Sequence, residues 1–167
     1  MMDEGYSKVE TALKFEMPYV VVRKVRPYDT ATLNYNWQVW DTKAYSLYSS
    51  TTSRIDPQSA GQIVLSVLKF CSGLGFVKYH DSKKKDSEVI LDTEMVSVQT
   101  AKSGIFESLV KAGDTVEEGT PLAHIVNSYD GEILETLYAP VKSRVFFIHN
   151  EPLTYASTNV FKLIEVE

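Results

Sequence analysis

The chain has 167 residues, of which 44% are hydrophobic and 23% are charged. This composition suits one average globular domain or two small ones, and it excludes a disordered or fibrous protein. The net charge of −5 argues against a general nucleic-acid or anionic-membrane surface. No apolar run approaches the roughly 20 residues that a membrane span needs. With Cys71 as its only cysteine the chain can form no internal disulfide, so a cytoplasmic location is expected.

Residues 1–77 have the pattern of part of an α/β layer. A short helix is predicted over residues 7–15, and the β-branched run at residues 19–22 predicts a strand that is buried on both faces. Residues 26–29 have turn chemistry, residues 32–40 are aromatic-rich and ambiguous, and residues 44–48 are a second strand candidate. These elements are too few to close a sheet and cover both of its faces.

A long helix is the clearest element of this first segment. Asp56 is suited to cap its free amides, Pro57 suits the first helical position, and Gly73 and Gly75 predict its end. Apolar residues at three-four spacing predict a stripe along one helix face; they are Ala60, Ile63, Val64, Val67, Leu68, Cys71 and Leu74. Because the stripe needs a surface to cover it, we expect either an absent N-terminal half or self-association of the chain.

Residues 78–88 are predicted to be a charged linker, and residues 89–167 to be an all-β domain, because alternation with frequent turns replaces the helical period. The strand candidates are residues 89–100, 104–110, 121–126, 132–138, 143–148 and 159–166. Residues 102–125 resemble residues 142–164 at an offset of about 40 residues, which suggests two similar β units packed with pseudo-twofold symmetry.

The loop at residues 111–122 carries the most specific local signal. Gly113 and Gly119 permit tight turns around Val116, whose side chain can then plug the end of the domain. This G-D-x-V-x-x-G-x-x-L pattern resembles the turn of biotinyl and lipoyl domains, as does the later Ala139-Pro140. The resemblance implies a barrel-sandwich hybrid fold for residues 89–167.

Carrier domains of this kind attach their cofactor to a lysine at an exposed hairpin. Here the corresponding hairpin is residues 127–132, N-S-Y-D-G-E, in which Asp130-Gly131 predicts a two-residue turn and no residue offers an amine. Lys142 stands one strand too late. We therefore expect neither biotin nor lipoate on this chain.

A lysine-free β domain after an α/β segment resembles the C-terminal half of the succinylglutamate desuccinylase/aspartoacylase family. These proteins are zinc-dependent hydrolases related to metallocarboxypeptidases. The segments that carry the resemblance are residues 17–21, 32–34, 44–48, 54–56 with the helix that follows, and 95–166. The resemblance implies an α+β fold, in which a partial carboxypeptidase-like α/β segment precedes the barrel-sandwich hybrid domain.

The same resemblance implies a portion of an amide hydrolase for acylated amino acids or similar small carboxylates, inactive alone. The alternative is a non-catalytic binding or assembly module with a degenerate α/β part. The family binds zinc through an H-x-x-E pair and a further histidine. This chain has His80, His124 and His149, and none is followed by glutamate three residues later. The ligand segment of the family precedes the equivalent of Met1, so we expect no metal site in this chain.

Two further residues are candidates for the site. The resemblance places Tyr48 or Ser49 at the position of the family's catalytic glutamate, although neither can act as a carboxylate base. Arg54 could face an anionic substrate, or it is simply a solvated or salt-bridged neighbour of Asp56. An aromatic cluster either lines a substrate channel or, as is more common, packs at a sheet edge or interface; its members are Tyr28, Tyr35, Trp37, Trp40, Tyr45 and Tyr48.

Overall fold

The computed structural model describes residues 1–3, 5–49, 55–80 and 86–166. The chain mixes helices with open sheets in an α+β fold and divides into two compact units, Met1–Asp92 and Thr93–Glu167. The described α-helices are α1 (Val9–Ala12), α2 (Leu33–Val39) and α3 (Pro57–Gly73), and short 3₁₀ helices span Leu13–Phe15, Pro27–Ala31 and Asp92–Glu94. The described strands are β1 (Tyr19–Val22), β2 (Glu88–Leu91), β3 (Met95–Gln99), β4 (Gly104–Ser108), β5 (Thr115–Val116), β6 (Pro121–Val126), β7 (Ile133–Tyr138), β8 (Ser143–Ile148), β9 (Leu153–Thr154) and β10 (Asn159–Glu165).

The N-terminal unit is built around a parallel pair of strands, β1 and β2. The strand predicted at residues 19–22 is confirmed, but the prediction that both of its faces are buried is wrong. Val20 and Val22 are buried against Ala12 of α1, whereas Tyr19 on the opposite face is exposed. The continuous β-branched run does not distinguish these two faces, because all three valines are equally apolar.

Residues 44–48 do not form the predicted strand. The backbone of Ala44 is instead bound by a side chain, because Ser7 Oγ donates to Ala44 O at 2.9 Å and accepts from Ala44 N at 2.8 Å. Tyr45 makes a similar pair of side-chain-to-backbone hydrogen bonds, because its hydroxyl donates to Lys8 O at 2.9 Å and accepts from Lys8 N at 3.1 Å. These contacts take the place of a β-ladder.

The predicted helix after Asp56 is confirmed as α3. Asp56 Oδ1 accepts hydrogen bonds from the backbone amides of Gln58 and Ser59, and Gly75 follows the helix end with a φ of +80°. The ambiguous residues 32–40 contain α2, which is capped by the Thr32 hydroxyl. Both helices satisfy their first free amides in the way expected of N-cap residues.

The C-terminal unit consists of two four-stranded antiparallel sheets, with strand orders β3-β10-β8-β5 and β7-β6-β4-β9. The two sheets have the same strand order when each strand of one is compared with the strand at the same place in the other: β3 with β7, β10 with β6, β8 with β4 and β5 with β9. The topology therefore repeats, as the sequence repeat predicts. These sheets are open at their edges. The short strands β5 and β9 each pair with a strand of the other repeat.

The strand predicted over residues 89–100 is wrong as one element. A 3₁₀ turn at Asp92–Glu94 divides it, so that β2 pairs with β1 and β3 pairs with β10. The division between the two compact units falls inside this turn, between Asp92 and Thr93. The alternating pattern continues through the turn because strands of different sheets have the same period.

A cluster of buried side chains fills the C-terminal unit. Val116 belongs to it, as the two flanking glycines predict, and Gly113 and Gly119 have φ values of +94° and +80°. The complete cluster is Val116, Leu122, Ala123, Ile125, Leu137, Ala139, Val145, Val160, Phe161 and Leu163. In the described part of the chain no helix is long and apolar enough to cross a lipid bilayer.

Candidate functional site

The carboxyl ends of β1 and β2 lie at the same edge of their sheet because the two strands are parallel. Arg23 directly follows β1, and Asp92 directly follows β2. In open α/β sheets this edge is where polar side chains from successive strands meet and where ligands bind. Two ion pairs of the N-terminal unit, Arg23–Asp29 and Arg26–Asp92, lie here.

Arg23 forms a bidentate ion pair with Asp29 at the end of β1. Arg23 Nη1 and Nη2 donate to the two carboxylate oxygens at 2.6 and 2.7 Å, and the amide of Arg26 donates to the same carboxylate at 2.7 Å. The Asp29 side chain is only 2% exposed. The hydrogen bonds from Arg23 and then from the Arg26 amide lower the pKa of Asp29 from 3.8 to about 2.

Arg26 connects this pair to the second strand. Its guanidinium forms an ion pair with Asp92 and donates a 2.7 Å hydrogen bond to the Tyr28 hydroxyl. The guanidinium carbon also lies 6.0 Å from the centroid of the Tyr28 ring, at the outer limit of a cation–π contact. Arg26 therefore holds the end of β2 beside the turn that follows β1.

The placement of Tyr48 or Ser49 at the family's glutamate position stays a prediction. After the hydrogen bond to Asp29, Tyr48 is one of the smaller causes that raise the pKa of Arg23. The Tyr48 side chain is exposed. Arg54, the other residue predicted from sequence, lies outside the described residues.

The charged cluster is electrically balanced, since two guanidinium groups face two carboxylates. Such pairing gives little surplus charge to attract a free anion. Its direct effect is to fix the backbone at the strand ends and to hold the Tyr28 hydroxyl beside Arg26. We interpret the four charged side chains as the rigid base of a site rather than as its ligand-binding groups.

Stability in acid should depend on Asp29. Because its folded pKa of about 2 lies below the usual 3.8, Asp29 stabilises the folded state above about pH 4, and this contribution is lost as the pH falls towards 2. We expect Asp29→Asn to lower the urea midpoint at neutral pH and to have little effect near pH 2. Both tryptophans, Trp37 and Trp40, lie in the N-terminal unit, so tryptophan fluorescence reports its unfolding directly.

The control for this experiment is Asp3→Asn, which removes an exposed carboxylate from the same unit. Its urea midpoint should follow that of the unmodified chain at every pH. An Asp29→Asn chain whose midpoint differs from the unmodified one by the same amount at pH 7 and at pH 2 would contradict the assignment.

A cavity of about 610 Å³ lies elsewhere in the N-terminal unit, where α3 meets the turn after α1. Its lining includes Lys69, which pairs with Glu16 at 2.9 Å, and Lys14, which donates to Gly73 O at 3.2 Å. His80 also lines it. The two lysines are thus engaged within the protein, and the cavity shares no residue with the cluster at the strand ends.

The histidines do not form a metal site within the described residues, where no group of three or more His, Cys, Asp or Glu side chains converges. His124 Nδ1 lies 3.1 Å from Thr136 Oγ1 between β6 and β7. His149 Nε2 lies 3.2 Å from Leu153 O, and its ring packs edge-on against Phe106. The described residues therefore do not fit a zinc ion.

The hairpin between β6 and β7 is a six-residue loop rather than the predicted two-residue turn. Asn127 closes it, because its backbone amide donates to Glu132 O and its side chain donates to Asp130 Oδ2. Gly131 has a φ of +77°, and Tyr129 at the tip is 96% exposed. A tyrosine therefore occupies a fully exposed position of this loop.

Co-expression with a biotin ligase or a lipoyl ligase should leave the intact mass of the protein unchanged. The reason is that residues 127–132 contain no lysine to acylate. The matched control is Tyr129→Lys, which places an amine at the exposed tip and tests whether the ligases recognise the surrounding loop. A biotin or lipoyl mass increment on the unmodified chain would contradict this prediction.

Sequence reasoning missed Arg23, Asp29, Arg26 and Asp92. Asp29 was contained in a predicted turn, and Asp92 in a predicted continuous strand. The missing signal was the pairing of β1 with β2, because that pairing brings together residues that are far apart in the chain. A charged residue directly after each of two parallel strands would have indicated this edge.

Comparisons with known proteins identify solved structures that have the same fold as this chain. No protein-family profile and no curated protein sequence matches the chain. Among solved structures, a succinylglutamate desuccinylase from Silicibacter sp. TM1040 matches with a TM-score of 0.78 and 14% identity, over 95% of this chain and 48% of that one. The chain shares its fold.

Two further solved structures have the same fold. The product-bound ectoine utilization protein EutE (DoeB) from Ruegeria pomeroyi matches with a TM-score of 0.74 and 13% identity, over 92% of this chain and 47% of that one. A succinylglutamate desuccinylase/aspartoacylase from Rhodobacter sphaeroides matches with a TM-score of 0.73 and 16% identity, over 94% and 48%. This chain therefore spans about half the length of the solved structures whose fold it shares.

Proposed function

We propose that this chain is the C-terminal portion of a zinc-dependent amide hydrolase of the succinylglutamate desuccinylase/aspartoacylase type. The observation that carries the proposal is the match of 92–95% of the chain to 47–48% of three solved structures, at TM-scores of 0.73–0.78. Two of these proteins are described as desuccinylases. The substrate class that follows is an acylated amino acid or a similar small carboxylate.

In this proposal the cluster at the strand ends supplies positioning residues rather than substrate contacts. Guanidinium groups suit carboxylate recognition because they present parallel N–H donors. Arg23 and Arg26 are already paired, so we assign them to positioning, and Arg54 remains the candidate for direct contact with the substrate. Tyr48 remains the candidate residue at the family's glutamate position. Since the described residues do not fit zinc, we assign the metal ligands and the base to the remaining portion of the enzyme.

The C-terminal unit has a structural role in this proposal. We propose that its two repeated sheets form a barrel-sandwich hybrid of the biotinyl/lipoyl type that carries neither cofactor, since the hairpin tip holds Tyr129 and no amine. The assembled enzyme would act in the cytoplasm.

A second candidate is a non-catalytic binding or assembly module whose α/β part is degenerate. Two points favour it: no metal-ligand group is found among the described residues, and the resemblance predicts Tyr48 or Ser49, neither of them a carboxylate, at the position of the family's glutamate. The two candidates differ in whether the protein that the source organism makes has hydrolase activity.

The decisive measurement compares two preparations. One is the 167-residue chain produced alone with added zinc, and the other is the gene product isolated through a C-terminal tag from the organism that encodes it. We expect the isolated product to contain zinc and to release succinate or acetate from N-acylated amino acids, and we expect the chain alone to hold less than about 0.1 zinc per chain and to be inactive. A product that contains this chain but neither zinc nor activity would establish the second candidate.

A further inference from the structure

Helix α3 packs on its own unit through a mixed face, on which Phe70 stacks on Phe15 with ring centroids 4.0 Å apart and two serines are buried. Ser59 and Ser66 are its buried residues, and Ser66 Oγ donates to Phe15 O at 2.7 Å. The opposite side is apolar and exposed, with Val64 at 60%, Leu65 at 44%, Val67 at 40% and Leu68 at 37%. We call this surface the α3 face; it consists of Ala60, Gly61, Val64, Leu65, Val67 and Leu68.

A helix on the outside of a folded protein normally has the reverse arrangement, with its apolar stripe buried and its charges exposed. The one charged residue among the seventeen of α3 is Lys69, and it pairs with Glu16 of the same unit rather than lying within the α3 face. A side chain added at Gly61 would meet nothing within 4 Å, so a second element can approach the helix closely there. An uncharged face of this kind marks a surface that another element covers.

The parallel sheet of β1 and β2 also has apolar side chains that nothing in the described chain covers. Val89 and Leu91 lie beside Val20 and Val22 in the register of β1 and β2 and therefore on the same sheet face. The side chains from β1 are buried, but those from β2 are exposed. Parallel sheets are covered on both faces in nearly all proteins, so the layer that covers β1 should continue over β2.

The solved structures of the same fold indicate what the covering element is. Each is about twice the length of this chain, and the chain accounts for 47–48% of it. A second copy of this chain is a weaker choice as the native occupant, because four partly exposed side chains contribute only a few hundred Å² per copy, below the roughly 800 Å² per partner of a stable interface. Copies of the chain produced alone would therefore associate only weakly and at high concentration. A segment that continues the α/β layer covers both the α3 face and the exposed strand.

We propose that the α3 face is the docking surface for a further α/β polypeptide segment, the one that forms the other half of this fold. The inference rests on the proposed function for the identity of that segment. It adds the surface that binds the segment and the chemistry of the contact, in which apolar side chains of the segment pack against Leu65 and Leu68 without ion pairs.

Photo-cross-linking from this surface tests the proposal. In the organism that encodes the chain, p-benzoylphenylalanine is incorporated at position 64, with position 129 on the exposed hairpin as the matched control. We expect irradiation at position 64 to join the chain to a peptide from a segment that matches the uncovered half of the Silicibacter structure, and position 129 to give no such product. A product that joins two copies of this chain, or the absence of any product at position 64, would overturn the proposal.

A second measurement covers the case in which the cross-linker disturbs folding. Leu65→Cys in a Cys71→Ser background should react with a maleimide at least about tenfold more slowly in the native gene product than in the chain produced alone. Equal rates would overturn the proposal. The hydrolase assay on the same preparation separates the two claims: protection without hydrolysis retains the docking surface and refutes the function, and hydrolysis without protection does the reverse.

Discussion

Replacing Phe161 with alanine is expected to lower the free energy of unfolding of the C-terminal unit by about 3–5 kcal/mol. Phe161 is fully buried in β10, which lies between β3 and β8. Its ring centroid lies 5.7 Å from that of Phe106 on the other sheet. The substitution removes the largest fully buried side chain of the unit and leaves a cavity between the two sheets. Because small domains are stable by only about 5–15 kcal/mol, this loss should populate the unfolded unit measurably.

Hydrogen exchange is the suitable measurement, since both tryptophans lie in the N-terminal unit. Amides of β6 and β10 should exchange faster in Phe161→Ala by a factor of at least about 100, while those of β1 should not change. The control is Phe147→Ala, which removes an exposed phenylalanine from the neighbouring strand. Similar exchange rates in the two variants would show that the core is not formed around Phe161.

The C-terminal unit could be predicted well because its signals are local. The strands predicted at residues 121–126 and 143–148 have the same bounds in the structure, since alternation and turn residues fix each strand within a few positions. The glycine-bounded loop likewise predicted that Val116 would be buried. Prediction failed at Asp92, where the chain passes from one sheet to another without a change in pattern.

The N-terminal unit was harder because burial there depends on distant partners. Residues 44–48 read as a strand, but Ser7 binds the backbone of Ala44, and no pattern within residues 44–48 reveals that contact. Most of the apolar stripe predicted along α3 is exposed, and the prediction left out Leu65, which is exposed on the same side of the helix. Periodicity shows which face of a helix is apolar, but it does not show whether the described chain supplies the surface that covers it.

The candidate site shows the same division between local and distant signals. Tyr48 became a candidate through a family resemblance, and its role stays a prediction. The charged cluster itself joins residues that precede α3 in the sequence with one that follows it, such as Arg26 and Asp92. The cluster exists only because β1 pairs with β2. A sequence supplies the charges of such a cluster, whereas the sheet topology decides which of them meet.

Self-association is the expected behaviour of the chain when it is produced alone. Without a covering segment, the α3 face has only other copies of the chain to pack against, so sedimentation should show a concentration-dependent dimer or larger species. The double variant Leu65→Lys, Leu68→Lys should sediment as a monomer of 18.8 kDa. Each buried, unpaired ammonium group costs several kcal/mol, which weakens association by a factor of more than about 100.

The matched control for this prediction is Leu153→Lys, which adds a charge at an exposed leucine of the C-terminal unit. It should self-associate like the unmodified chain, because Leu153 lies outside the α3 face. Removal of residues 1–92 should likewise leave a monomer, since it removes α3 together with its unit. A full-length chain that stays monomeric at high concentration, with tryptophan emission typical of a folded N-terminal unit, would show that this unit is stable with its apolar helix face exposed to water.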